Sequence, residues 1–202
     1  MYPFFKVICQ GFFKLISDLK ISGQDHIPQK GPFVLVANHQ SLLDPLVLIA
    51  CIPRKITFLA ASYIFKIPLV GHIVRAGGAL PVNSNQGSIK SAKHCLSRLF
   101  KGEVIGLFPE GGVSLDGRLK PFMPGWAYLA LKTGVPALPV ALTGTGKVLP
   151  VGTYIPRRGR ISVNIGEPVP VEKKSKIRRQ DLEELNQKIT RTISSLMKAI
   201  TY

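Results

Sequence analysis

Short, nearly continuous apolar runs alternate with stretches of helical periodicity along this chain, and no other feature restricts its fold so strongly. Residues 33–37 (FVLVA), 56–60 (ITFLA), 104–108 (VIGLF), 137–143 (ALPVALT) and 160–165 (RISVNI) have the length of strands, with 79–82 (ALPV) a weaker candidate. Residues 45–51, 86–100, 124–133 and 180–200 read as helices. The first of these carries proline in its opening turn, and Gly102 and Gly134 stop the next two. The last puts Leu182, Leu185, Ile189, Ile193 and Leu196 on one face. A strand that is apolar at consecutive positions is covered on both faces. The pattern therefore predicts an α/β domain with a mixed, mostly buried sheet flanked by helices. At 202 residues the chain can bury one substantial core and has no length for two ordinary domains.

The first 22 residues are expected to form a separate amphipathic helix, with residues 23–202 as the single α/β domain. Phe4, Phe5, Ile8, Phe12, Phe13, Leu15, Ile16 and Leu19 recur at helical spacing, and Lys6, Gln10, Lys14 and Asp18 form a polar stripe beside them. Such a helix lies in a membrane interface or packs on its own domain. Charge favours the membrane: 27 Lys and Arg against 11 Asp and Glu give a net charge of +16. No window of about 18 residues is continuously apolar, so no transmembrane helix is expected. A secretory signal fits poorly, because lysines interrupt the apolar stretch. Nucleic acid is not expected as a partner, because the basic residues are spread along the chain without a recognisable binding motif. Three cysteines (Cys9, Cys51, Cys95) without a C-x-x-C pair argue against a disulfide framework and a zinc ribbon.

Two polar clusters follow strands directly. Asn38-His39-Gln40-Ser41-Leu42-Leu43-Asp44 follows the first, and Pro109-Glu110-Gly111-Gly112 follows the one at 104–108. Open α/β sheets bind ligands outside the carboxyl ends of their strands. A histidine is the side chain best suited to take a proton near neutral pH, and an aspartate bonded to one ring nitrogen frees the other to act as base. In a regular helix a separation of five turns two side chains about 140° apart. His39 and Asp44 therefore meet only if the segment between them bends. The glycines after Glu110 suit a backbone that approaches phosphate or a developing oxyanion, or an ordinary turn.

Asn38-His39 with Asp44, followed about 70 residues later by Phe108-Pro109-Glu110-Gly111, resembles the glycerolipid acyltransferases of the 1-acylglycerol-3-phosphate acyltransferase type. The likeness spans roughly residues 20–170 and extends to Gly31-Pro32, Asp116-Gly117, Pro121-Phe122, Gly125 and Pro136-Ala137-Leu138-Pro139-Val140. It implies transfer of a fatty acyl group from acyl-CoA or acyl carrier protein to a hydroxyl of a lyso-glycerolipid. With 1-acylglycerol-3-phosphate as acceptor the product is phosphatidic acid, a step of phospholipid biosynthesis. The resemblance makes His39 the general base and Asp44 its orienting partner, without an acyl-enzyme, cofactor or metal. It places Asn38, Glu110, Gly111 and Gly112 in substrate binding, at the cytoplasmic face of a membrane on which the protein is peripheral or monotopic. Family arginines that suit an acceptor phosphate are replaced by Ser84 and Val113. Arg75, Arg118 and Lys120 are then the candidate cations, or the acceptor lacks a terminal phosphate. A non-catalytic lipid-binding protein on the same fold is the alternative from another class.

Overall fold

In the computed structural model, which describes residues 2–82 and 87–199, helix α1 (Tyr2–Ile16) leads into strand β1 (Ser17–Ser22). Strand β2 (Val34–Ala37), helix α2 (Asp44–Cys51), strand β3 (Ile56–Ala61), helix α3 (Val70–Ala76) and strand β4 (Leu80–Val82) follow. The chain continues through α4 (Gly87–Phe100), β5 (Val104–Leu107), α5 (Gly125–Thr133), β6 (Ala137–Thr143), the short α6 (Thr145–Val148), β7 (Gly159–Ile165) and α7 (Arg179–Lys198). The seven strands form one sheet in the order β1-β7-β6-β2-β5-β3-β4. All neighbours are parallel except β6 and β7.

The continuous apolar strands are covered on both faces, as their composition requires. Successive residues of β2 point to opposite layers: Leu35 and Ala37 pack with Phe13, Leu48 and Ile49 on the side of α1 and α2, and Val34 and Val36 pack with Leu99, Trp126 and Ile193 on the side of α4, α5 and α7. Gly106 in β5 has a neighbour-driven role, since a Cβ there would run into Phe58 and Ile56 of β3.

The expected N-terminal unit needs correction. Its helix ends at Ile16, and residues 17–22 are a strand hydrogen-bonded in register along β7 from Ser17↔Gly159 to Ser22↔Asn164. Ser17-Asp18-Leu19-Lys20-Ile21-Ser22 alternates in burial, the period of an edge strand with one covered side. Leu19 also fits the preceding helical period, which is why the sequence reads as one helix. The polar stripe is also partly spent inside the fold. The Lys6 ammonium donates to Ile52 O (2.7 Å) and the Gln10 amide to Ala50 O (3.1 Å), at the C-terminal end of α2. Helix ends leave carbonyls unpaired and carry partial negative charge, so a lysine there is doubly suited. Burial lowers the Lys6 pKa.

Consequently α1 has two apolar faces. Phe13 and Cys9 are buried against the domain, with Phe5, Phe12 and Ile16 packed beside them. Phe4, Val7, Ile8 and Leu15 form a second stripe open to solvent, Leu15 at 77% exposure. Among the described residues no helix is long and apolar enough to cross a membrane.

The parallel strands β2, β3, β5 and β6 end at one edge of the sheet. Because β7 runs against β6 and β1 runs with β7, the starts of β7 and β1 lie at that same edge, and with them the end of α1. Both polar clusters open there.

Candidate active site

The bend between His39 and Asp44 begins with Asn38. Its amide bonds both main-chain atoms of Leu142 in β6, donating to the carbonyl (2.9 Å) and accepting from N–H (2.7 Å). A side chain thus replaces one rung of the β2–β6 ladder, and the backbone is free to leave the sheet. Residues 38–43 are not helical, and α2 starts at Asp44. The 140° separation of a continuous helix therefore does not arise.

Asp44 is fully buried, and its Oδ2 accepts three hydrogen bonds. They come from His39 Nδ1 (2.7 Å), Gln40 N (2.6 Å) and Ser41 N (2.8 Å). Two main-chain donors fix the carboxylate, and the carboxylate fixes the imidazole. An oxygen receiving two N–H groups has no proton of its own to offer, so Nδ1 carries the proton of the third contact. That assignment leaves the lone pair of His39 on Nε2. Ser41 Oγ accepts from Leu43 N (3.2 Å) and donates to Leu149 O (2.9 Å), which braces the same loop.

The imidazole plane is held by aromatic stacking. The His39 and Phe108 rings lie 4.2 Å apart, 20° from parallel, and Phe108 stacks in turn on Phe58 at 5.5 Å. Gly106 is what lets the Phe58 ring lie over β5. The His39 side chain keeps 15% of its surface exposed, so it is reachable while its partner is not.

Glu110 joins the two clusters. Its Oε1 accepts from His39 N (2.6 Å) and its Oε2 from Lys120 N (2.9 Å). Ser114 N donates to His39 O (2.8 Å), so both main-chain polar groups of the histidine are tied to the segment after β5. Burial pushes the Glu110 carboxyl above the usual carboxylate range, against the hydrogen bonds from Lys120 and His39. Gly111 turns the chain at φ +73°, bonding back to Phe108 O (3.2 Å), and a Cβ there would strike Met123.

The residues expected in substrate binding are dispersed in role. The Asn38 amide faces β6, and both Glu110 oxygens hold main-chain N–H groups. Gly112 is open to solvent. Lys120 donates its ammonium to Val113 O (2.7 Å) on the loop that contacts His39. Arg118 is 88% exposed beside Asp116, and Arg75 is bonded to Phe65 O (2.8 Å) in the turn before α3. Ser84 lies outside the described residues. Sequence reasoning did not find Phe58, Gln40 or Ser114. Gln40 is joined to Gly117 O (3.2 Å), and Ser114 and Gln40 act largely through main-chain atoms that leave no composition signal. Among the described residues, no three His, Cys, Asp or Glu side chains gather to hold a metal ion.

A family model described as Acyltransferase matches residues 18–143. The chain is 36% identical over 172 residues to the chloroplastic 1-acyl-sn-glycerol-3-phosphate acyltransferase BAT2 of Brassica napus, which covers 84% of this chain and 46% of that protein. It is 34% identical over 173 residues to the chloroplastic 1-acyl-sn-glycerol-3-phosphate acyltransferase LPAT1 of Arabidopsis thaliana, covering 84% of this chain and 45% of that one. It thus spans under half the length of these two relatives. Its fold matches the crystal structure of the 1-acyl-sn-glycerophosphate acyltransferase PlsC from Thermotoga maritima. The TM-score is 0.81 at 27% identity, over 99% of this chain and 80% of that one. The motif match, the pairing of His39 with the buried Asp44 and these likenesses agree that the chain belongs to the Acyltransferase family.

Proposed function

We propose that this chain transfers a fatty acyl group from an acyl thioester, acyl-CoA or acyl carrier protein, to the free hydroxyl of 1-acylglycerol-3-phosphate, giving phosphatidic acid. The observation that carries the reading is the 2.7 Å contact between His39 Nδ1 and the buried Asp44 Oδ2 at the carboxyl edge of the sheet. His39 Nε2 takes the hydroxyl proton as that oxygen attacks the thioester carbonyl. Asp44 stabilises the imidazolium that forms. The tetrahedral oxyanion collapses, the carbon–sulfur bond breaks, and the imidazolium returns its proton to the leaving thiolate. One ester and one thiol result, and no acyl-enzyme is needed. The protein works on an anionic membrane surface, held there by its net charge of +16 and the open apolar stripe of α1.

Among Arg75, Arg118 and Lys120 we assign the acceptor phosphate to Lys120, because its ammonium is bonded to the carbonyl of Val113, a position at which the family often carries an arginine. The same Val113 favours a second reading, an acceptor lacking a terminal phosphate. Thiol release measured over lysophosphatidic acid, a lysophosphatidylcholine and a monoacylglycerol separates the two. Preference for lysophosphatidic acid is expected, and preference for either of the others selects the second reading. Lipid binding without thiol release would leave a non-catalytic protein.

The protein's own thiols are expected to stay silent in that assay. Cys9, Cys51 and Cys95 are free and buried, and burial pushes their thiols up to about 11, about 12 and about 11. The thiolate is the reactive form. A disulfide reagent at neutral pH should therefore label none of them in the folded protein, and all three after denaturation.

A further inference from the structure

The loop between α6 and β7 exposes the apolar side chains Val151 (55%), Tyr154 (82%) and Ile155 (81%). Arg157 and Arg158 follow after Pro156 and are exposed too, with no ion pair to either among the described residues. The loop is ordered from within. Arg157 N donates to Val148 O (2.7 Å) and closes its base, and both N–H and Oγ1 of Thr153 donate to Pro150 O (3.1 and 2.7 Å). Gly152, at φ +83°, sits in that turn. The base rests on the catalytic loop through Ser41 Oγ to Leu149 O (2.9 Å). The loop also enters β7 at Gly159, which pairs with Ser17, the residue that follows the last residue of α1. The exposed Leu15 end of the α1 stripe therefore lies at the same edge as the loop. Asp18, at that edge, is paired with Arg160 (3.3 Å) and does not oppose an anion.

We propose that residues 150–158 are a preformed membrane wedge: Val151, Tyr154 and Ile155 enter the acyl boundary of an anionic bilayer, and Arg157 and Arg158 hold lipid phosphates beside them. The proposal rests on the membrane reading above and adds a second contact site to α1. Apolar side chains on a closed turn insert without first paying to order a flexible segment. Tyrosine suits the interface, with an apolar ring and a polar end. Two arginines next to the tip supply the charge complementarity that selects anionic lipid over other apolar partners. Because the loop base leans on Ser41, docking of the tip sets the loop that carries His39 against the surface from which a lipid acceptor arrives.

Tyr154→Trp in the full chain tests this with vesicles of phosphatidylglycerol and phosphatidylcholine, some carrying brominated acyl chains. The chain's single Trp, Trp126, is buried and supplies the background from the unsubstituted protein. We expect a blue-shifted emission on binding and quenching by the brominated lipid. Ile155→Asp should lower vesicle binding about tenfold and leave activity on a dispersed short-chain acceptor unchanged, which certifies its fold. Arg157→Ala with Arg158→Ala should weaken binding to the anionic vesicles and not to phosphatidylcholine alone. Co-sedimentation of Tyr154→Trp with water-like, unquenched emission overturns the wedge and leaves α1 as the anchor. Failure of the unsubstituted protein to bind any vesicle overturns the membrane reading and the wedge together.

Discussion

The His39→Ala variant is expected to lose about 10²–10⁴-fold in kcat, the range that one positioned general base contributes, while remaining folded. The two consequences separate because the main chain and the side chain of this residue serve different ends. Its N–H and carbonyl hold Glu110 and Ser114, and alanine keeps both bonds. Asp44 keeps the N–H groups of Gln40 and Ser41, so the buried carboxylate is not stranded. What disappears is the Nδ1 hydrogen bond to Asp44, the stack on Phe108 and the Nε2 lone pair proposed to take the hydroxyl proton. The stack is worth about 0.5–1.5 kcal/mol and the hydrogen bond to the buried carboxylate about 1.5–3 kcal/mol, together a fall of about 5–15 °C in melting temperature for a chain of this size. Thiol release and a thermal melt on the same preparation check both halves. Transfer at the unsubstituted rate would remove His39 from the mechanism.

That pair was legible as a spacing and illegible as a geometry. The sequence shows a histidine after a strand and an aspartate five positions on, and helix geometry alone sets them apart. The rotation of Asn38 onto Leu142, 104 residues away in sequence, is what ends β2 early and lets the segment bend. Nothing local to residues 38–44 encodes that partner. The central strands were readable for the opposite reason. Burial on two faces forces apolar residues at consecutive positions, so Val34–Ala37, Val104–Leu107 and Ala137–Thr143 declare themselves. β1 does not, because an edge strand of six residues with polar alternate positions carries little signal beside a strong helix. α3 and α6 span seven and four residues, too short for a helical period to stand out. Charge was readable as a total but not as placement: Lys6 caps α2, and Arg75 is bonded to Phe65 O.

Glu110 carries the other large effect, and it discriminates between binding the acceptor and positioning the base. Both of its oxygens accept main-chain N–H groups, from His39 on one side and Lys120 on the other. Glutamine preserves the size and turns one oxygen into an amide donor facing a donor. One of the two loops must then let go. A misplacement of about 1 Å between a base and its hydroxyl costs about 10²-fold in rate, so Glu110→Gln should lower kcat by about that factor. Its KM for the acceptor should change little. A carboxylate that bound the acceptor would raise KM first. Acid should reproduce the substitution. Burial raises the Glu110 pKa above its ordinary 4.5, so on acidification this carboxyl protonates before an unperturbed glutamate and one oxygen stops accepting. The folded chain then binds that proton more readily than the unfolded chain, so the contribution of this group to stability rises as pH falls through the window above 4.5. Activity should therefore fall across a range in which this residue does not lower the melting temperature, and the Gln variant should lack that part of the acid limb. An acid limb unchanged in Glu110→Gln would assign it to another group and leave Glu110 a purely structural tie.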